Sequence, residues 1–397
     1  MIIEPKVKSS ILLTAHPEGC KQLVKEQIEY VKNNKKYTGA KKALIIGSSS
    51  GYGLATRISL AFGGSKTETI GVAYESGPKG KRTGTAGWFN TLAFNEEAKK
   101  EGIKYKNFMG DAFSNEVKQQ TIDLIKKDLG QVDLVVYSLA SPVRQHPVTG
   151  VLHRSTLKPI GGVYTNKTVD FHSGKVSDIS IQPCEGDDIE NTVAVMGGED
   201  WSMWIDALKA ENLLADGAMT VAYSYIGPSL TEAVYRKGTI GRAKDHLEAT
   251  AFSIADSLKE INGKAFVSVN KALVTQASSA IPVIPLYISL LYKIMKEKGI
   301  HEGCIEQIQR LYSERLYSNE GIATDDKGRI RIDDWEMRED VQELVAKLWP
   351  EATTENLAEI GDLAGYRHDF YNLFGFEFDG VNYQAEANEL VNVPSIV

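Results

Sequence analysis

Two groups of residues have the types and spacing to do chemistry. The first is the turn Gly47-Ser48-Ser49-Ser50-Gly51-Tyr52-Gly53, set between the short apolar run Ala43-Leu44-Ile45-Ile46 and an amphipathic stretch from Leu54 to Phe62. Strand, glycine turn and helix in that order point unpaired backbone N–H groups and a positive helix end at an anion, the arrangement that holds a dinucleotide's pyrophosphate. The spacing Gly-x3-Gly-x-Gly departs from the commoner Gly-x-Gly-x-x-Gly, and glycine-rich turns also close many strand–helix units that bind nothing. Twenty-two residues beyond Gly53, a second strand (Thr69-Ile70-Gly71-Val72-Ala73-Tyr74) ends in Glu75. An acid at this distance is where such folds hydrogen-bond the adenosine ribose. Its charge would repel a 2′-phosphate, which predicts NADH over NADPH. A solvated carboxylate at a strand end is the alternative.

The second group is Tyr235-Arg236-Lys237-Gly238-Thr239-Ile240-Gly241-Arg242-Ala243-Lys244. Tyr235 and Lys244 stand nine residues apart, two and a half turns, so on an ideal helix they do not face one another. Gly238 and Gly241 invite a local departure from that geometry. The two side chains could also reach one cofactor from different sides. Standing alone, they would read as a packed tyrosine and a solvated lysine.

The elements that must position these groups follow from hydrophobic periodicity. Apolar runs alternate with helical patterns over the first 140 residues, which predicts a Rossmann-type doubly wound parallel α/β sheet with added segments. Helices are expected over Ala86–Glu101 and Asn115–Leu129, and strands over Lys104–Phe108 and Val132–Ala140. Residues 142–185, rich in Gly, Pro, Thr and Lys, read as hairpins or an extended excursion. A helix with Trp201 and Trp204 follows, then a strand over Met219–Tyr225, a long helix over Leu230–Leu258 and a strand over Lys264–Val269. The remainder reads as mostly helical with an aromatic-rich tail. We expect one domain over 1–397, with a cofactor-binding core at about 40–275 and accessory segments 1–39, 142–185 and 276–397.

Composition narrows the function. A net charge of −7 gives no support to a nucleic-acid surface. Three dispersed cysteines make no metal-spaced pair or disulfide framework, and the N-terminal residues do not read as a signal peptide, so a cytoplasmic protein is expected. The most apolar stretch, Ile281–Met295, is too short to span a bilayer, so no stable membrane insertion is expected. The scattered histidines have no metal-ligand spacing, and no metal is expected. Asp333-Asp334 and Glu339-Asp340 read as solvated acid faces. Pro282–Tyr287 reads equally as core packing or as the wall of an apolar tunnel.

Taken together, the glycine turn, the acid closing the second strand, Asp111-Ala112, Leu139-Ala140 and the Tyr…Lys pair resemble the short-chain dehydrogenase/reductase superfamily. The eight-residue gap between Tyr235 and Lys244 and the chain's length depart from its usual pattern. With His16-Pro17-Glu18-Gly19-Cys20, Met196–Trp201, Ala222–Gly227 and Ile330–Trp335, they resemble one branch across the whole chain: the FabV-type enoyl-acyl-carrier-protein reductases and the similar trans-2-enoyl-CoA reductases.

That resemblance implies NADH-dependent reduction of trans-2-enoyl thioesters carried on acyl carrier protein or CoA, the last reductive step of fatty acid elongation. It implies that Ser48, Ser49, Ser50, Gly51, Tyr52 and Gly53 cradle the pyrophosphate, while Tyr74 and Glu75 hold the adenosine ribose. Asp111 and Ala112 would flank the adenine, and Leu139 and Ala140 would line the ribose and nicotinamide side. Leu273, Val274 and Thr275 would contact the nicotinamide end, and Lys244 would grip its ribose. Tyr225 would contact the thioester, and Tyr235 would be the catalytic proton donor. Free tyrosine titrates at about 10, and an ammonium at Lys244 would favour its anion and make it a better donor. The alternatives are a reductase of short-chain CoA esters in fermentation or lipid metabolism, a carbonyl reductase or epimerase, and a dinucleotide-sensing regulator without catalysis. The added segments suggest a monomer, because they can cover surfaces through which smaller relatives associate.

Overall fold

The computed structural model describes residues 2–8 and 11–387. Met1, residues 9–10 and residues 388–397 of the expected accessory segments lie outside the described residues. Seven strands form one parallel sheet: β1 (Lys42–Ile46), β2 (Glu68–Ala73), β3 (Tyr105–Met109), β4 (Val132–Tyr137), β5 (Leu214–Ser224), β6 (Lys264–Val269) and β7 (Ile330–Arg331). Their order is β7-β6-β5-β4-β1-β2-β3. The interior strand β1 pairs Ala43 with Thr69 on one side and with Leu134 on the other. Chain order reverses between β1 and β4, and in open α/β sheets ligands bind outside the carboxyl ends of the strands at such a reversal.

Burial on both faces explains the unbroken apolar run of β1. Alternate side chains point to opposite faces. Ala43 and Ile45 join one core cluster with Leu54, Ile58 and Phe94, while Leu44 and Ile46 join another with Ile125, Trp201 and Trp204. The first face is covered by α1 (Pro17–Asn33), α2 (Gly51–Ile58) and α3 (Ala86–Lys100). The second is covered by α4 (Asn115–Asp128), α6 (Glu199–Ala210) and α7 (Thr239–Ser257), with α5 (Asp188–Met196) lying against α7.

The excursion 142–185 forms two hairpins, Val143–Gln145 with Leu152–Arg154 and Tyr164–Asp170 with Lys175–Ile181. The second packs Val169 and Phe171 into a third core cluster built around α8 (Ile284–Glu297). Val283, Ile284, Leu286 and Tyr287 are all buried in that cluster. The seventh strand, β7, has two residues, too few to show a period. Two expectations need correction. The helix expected over Leu230–Leu258 begins only at Thr239. Asp333 is not a solvated acid but 1% exposed, because Arg331, two residues earlier on the same extended segment, clasps it at 2.8 and 2.7 Å. No helix among the described residues is long and apolar enough to cross a membrane.

Candidate functional site

The glycine turn is shaped by contacts that no side chain would permit. Gly47 leaves β1 with φ +89°, and a Cβ there would lie 2.3 Å from the Ser138 carbonyl oxygen, at the β1–β4 reversal. Its amide and that of Ser48 both donate to the Val72 carbonyl, at 2.8 and 3.1 Å, which ties the turn to β2. Gly53 sits in the first turn of α2, where a Cβ would lie 1.7 Å from the Gly47 carbonyl oxygen. Ser50 precedes the helix with extended backbone and makes no side-chain cap. The leading amides of α2 therefore face outward uncapped, as a phosphate requires. Tyr52 points the other way, its hydroxyl donating to the Lys271 carbonyl at 2.8 Å, so it anchors the cradle from behind.

The residues expected around the adenosine lie just past strand ends. Glu75 follows β2 and accepts a 2.6 Å hydrogen bond from Ser49 Oγ, while burial raises its pKa. A Cβ on Gly87 would come within 2.0 Å of Glu75 Oε1, so the carboxylate lies on the bare backbone at the start of α3. Tyr74 is 82% exposed, its ring presented to solvent. Asp111 is exposed beyond β3 and accepts the Phe113 amide at 3.0 Å. Ala112 is buried, its carbonyl held by Lys118 Nζ and Trp204 Nε1 at 3.0 and 3.1 Å. Lys118 in turn pairs with buried Asp200 at 2.7 Å. Sequence reasoning missed this brace, since the pair is far apart in the chain and carries no motif. Leu139 and Ala140 occupy the loop after β4, half-buried and exposed respectively.

Tyr235 is not helical with Lys244. The chain runs through turns from Thr231, with the Tyr235 amide bonded to the Thr231 carbonyl, and Gly238 is extended before α7 starts. The Thr239 amide donates to the Lys158 carbonyl at 2.9 Å, so the excursion 142–185 fixes where the helix begins. A Cβ on Gly241 would lie 1.8 Å from the Arg236 carbonyl oxygen, so only glycine lets the turn fold back on α7. Tyr235 is 7% exposed and sets its ring edge-on to Tyr225, with centroids 5.0 Å apart. Burial alone pushes its phenol up from the ordinary value.

That last finding corrects the expected electrostatics, because Lys244 does not pull the phenol down. Lys244 is itself buried, and burial lowers it to about 8, opposed by Glu248 and reinforced by Arg236. Glu248 is engaged by Arg236 and Arg329. Among the described residues Lys244 has no ion-pair partner, which leaves an ammonium free to hold hydroxyls. Tyr225 donates to Glu336 Oε1 at 3.2 Å. Leu273 and Val274 are buried, and Thr275 places its methyl 3.9 Å from where a Gly51 Cβ would stand. The segment Leu273–Thr275 thus reaches the mouth of the glycine cradle. A cradle that a Cβ would fill and an unpaired buried ammonium fit a bound NADH.

Comparison with known proteins follows the same outline. Residues 82–317 match a family model described as the trans-2-enoyl-CoA reductase catalytic region, and residues 2–80 one described as the NAD(P)H binding domain of trans-2-enoyl-CoA reductase. The chain is 72% identical over 397 residues, all of both chains, to an NADH enoyl-[acyl-carrier-protein] reductase of Flavobacterium psychrophilum. It is 57% identical, again over all of both chains, to an NADH trans-2-enoyl-CoA reductase of Ruminiclostridium cellulolyticum. The structure of Clostridium acetobutulicum trans-2-enoyl-CoA reductase in complex with NADH superposes with a TM-score of 0.96, at 49% identity and 98% coverage of each chain.

Residues 324–387 match a model described as an enoyl reductase FAD binding domain. The packing there does not fit a flavin nucleotide. Trp349, Tyr366, Phe370, Phe374 and Phe376 are buried against α8 in one core cluster. Gly375 is pressed on α1, where a Cβ would lie 2.4 Å from the His16 carbonyl oxygen. Among the described residues of this segment, no glycine turn joins a strand to a helix N-terminus.

Proposed function

Because the chain belongs to the family of NADH-dependent enoyl-acyl-carrier-protein and trans-2-enoyl-CoA reductases, we propose that Tyr235 and Lys244 carry its chemistry. The protein reduces the double bond of trans-2-enoyl thioesters to saturated thioesters with NADH, completing a round of fatty acid elongation. The chemistry supplied by bound NADH is a hydride for the β-carbon of the thioester. The amides opening α2 receive the pyrophosphate, Glu75 the adenosine ribose, and Lys244 the nicotinamide ribose. Tyr235 donates a hydrogen bond to the thioester oxygen, which gains negative charge as the hydride arrives, and that bond strengthens with the charge. A proton at the α-carbon completes the saturated chain.

One observation carries the donor assignment. Of the two phenols stacked edge-on, Tyr225 is bound to a carboxylate, whereas burial alone acts on Tyr235. We take acyl carrier protein as the physiological carrier, a reading supported by the name of the 72% identical relative. The 57% identical relative, named for CoA esters, supports the second reading. A core cluster that joins Cys20 of α1, the hairpin residue Phe171 and the C-terminal Phe370 supports one reductase domain, which we take to act as a cytoplasmic monomer. Comparing kcat/KM for one acyl chain on both carriers tests the carrier. A higher value on acyl carrier protein is expected, and an equal or higher value on CoA reverses the assignment.

A further inference from the structure

Glu336 is 0% exposed and follows β7 on a segment tied to β6, where the amides of Ile332 and Asp333 donate to the Val269 carbonyl at 3.1 and 3.2 Å. Its Oε1 accepts from Tyr225 Oη at 3.2 Å and from Tyr287 Oη at 2.7 Å, and its Oε2 accepts the Ala272 amide at 2.7 Å. Gln342 completes the setting, with Nε2 donating to Tyr287 Oη at 3.1 Å and to the Glu336 carbonyl at 2.7 Å. Every group on the carboxyl oxygens is a donor, so the cage is built for a carboxylate. One side chain thereby joins Tyr225, the residue preceding Leu273–Thr275, and α8.

A phenol has a single proton to donate. With that of Tyr225 directed at Glu336, its oxygen faces the substrate only as an acceptor. We infer that Glu336 is a positioning residue that withholds the Tyr225 proton and so leaves Tyr235 as the only phenol able to donate to the thioester oxygen. This rests on the reading of Tyr235 as donor and deepens it. The reaction needs one donor aimed at the oxygen that gains charge; a second phenol with a free proton 5.0 Å away, ring to ring, would compete for that position. The groups that face Glu336 are Lys271, which stabilises its charge, Asp333, which opposes it, and Tyr287, Tyr225 and Tyr52. Burial raises the carboxyl above its ordinary range, so acid conditions reach it more readily than a surface glutamate.

The test compares Tyr235→Phe with Tyr235→Phe/Glu336→Gln, using crotonyl-CoA and NADH. The glutamine keeps the shape; its carbonyl can accept the Ala272 amide while its NH2 donates to the phenols, which frees the Tyr225 proton. The residual kcat of the double variant should exceed that of the single by about tenfold, and adding Tyr225→Phe should abolish the gain. A merely structural Glu336 would give a double variant equally slow or slower, and that result overturns the inference while leaving Tyr235 as donor. Full turnover by Tyr235→Phe alone would overturn both readings, because Tyr225 would then already be donating. Where the double variant fails to fold, the pH profile of Tyr235→Phe decides. Its residual rate should rise towards acid pH as Glu336 takes up a proton, with no such rise in Tyr225→Phe/Tyr235→Phe. Identical profiles would overturn the inference.

Discussion

Replacing Gly53 by alanine puts a methyl carbon 1.7 Å from the Gly47 carbonyl oxygen, where contacts under 3.0 Å are essentially never made. The turn must therefore open by more than an ångström. Forcing an atom into a packed site costs about 1–3 kcal/mol of stability, and an ångström of misplacement among positioned contacts costs about a hundredfold in what they do. Gly102→Ala is the control. Gly102, in the turn between α3 and β3 at the opposite end of the strands from the cradle, has φ +66° with nothing within 4 Å of where its Cβ would stand. Its penalty is the left-handed backbone alone, about 1–2 kcal/mol, borne equally with and without NADH. Titrating NADH by fluorescence, with melting temperature measured beside it, should show Gly53→Ala binding about a hundredfold more weakly and Gly102→Ala close to wild type. A Gly53→Ala protein that binds NADH as tightly as wild type would refute the placement of the pyrophosphate on α2.

Three further outcomes are expected. Tyr235→Phe should lower kcat by about a hundredfold or more with NADH affinity unchanged, and near-normal turnover would pass the donor role to Tyr225. Lys244→Met should weaken NADH binding along with turnover, and Lys244→Arg should restore it only in part, since a planar fork replaces a compact ammonium. Burial places the Lys244 pKa at about 8, so NADH affinity should be full below that pH and fall as pH rises through it. The same titration on Lys244→Arg should be flat, and a flat wild-type profile would remove Lys244 from the ribose. Wild type should prefer NADH strongly in kcat/KM, and Glu75→Gln should narrow that preference; comparable wild-type use of NADPH would contradict the role of Glu75.

The sheet was legible where strands are long and buried on both faces. Ala43–Ile46, Val132–Tyr137 and Lys264–Val269 announce themselves as short, mostly apolar runs. What sequence reasoning missed depends on partners distant in the chain. The helix expected from Leu230 to Leu258 runs across Gly238, yet it starts at Thr239, whose amide is taken by the Lys158 carbonyl of a separate excursion. Glu75 was readable from its distance to the glycines, but not its bond to Ser49. Asp333 looked solvated because adjacent acids usually are, and only the alternation with Arg331 hints at the buried clasp. Glu336 gives no local signal at all, since its partners come from three other segments of the chain.

The central claim is direct reduction of the enoyl thioester by NADH with Tyr235 as donor, and isotope transfer tests it most directly. With NADH deuterated at the transferring C4 position and crotonyl thioester in ordinary water, the saturated product should carry one deuteron at the β-carbon and a solvent hydrogen at the α-carbon. Tyr235→Phe should yield the same labelling more slowly. A β-carbon that carries solvent hydrogen instead would contradict direct transfer from NADH, and the assignment of the site with it.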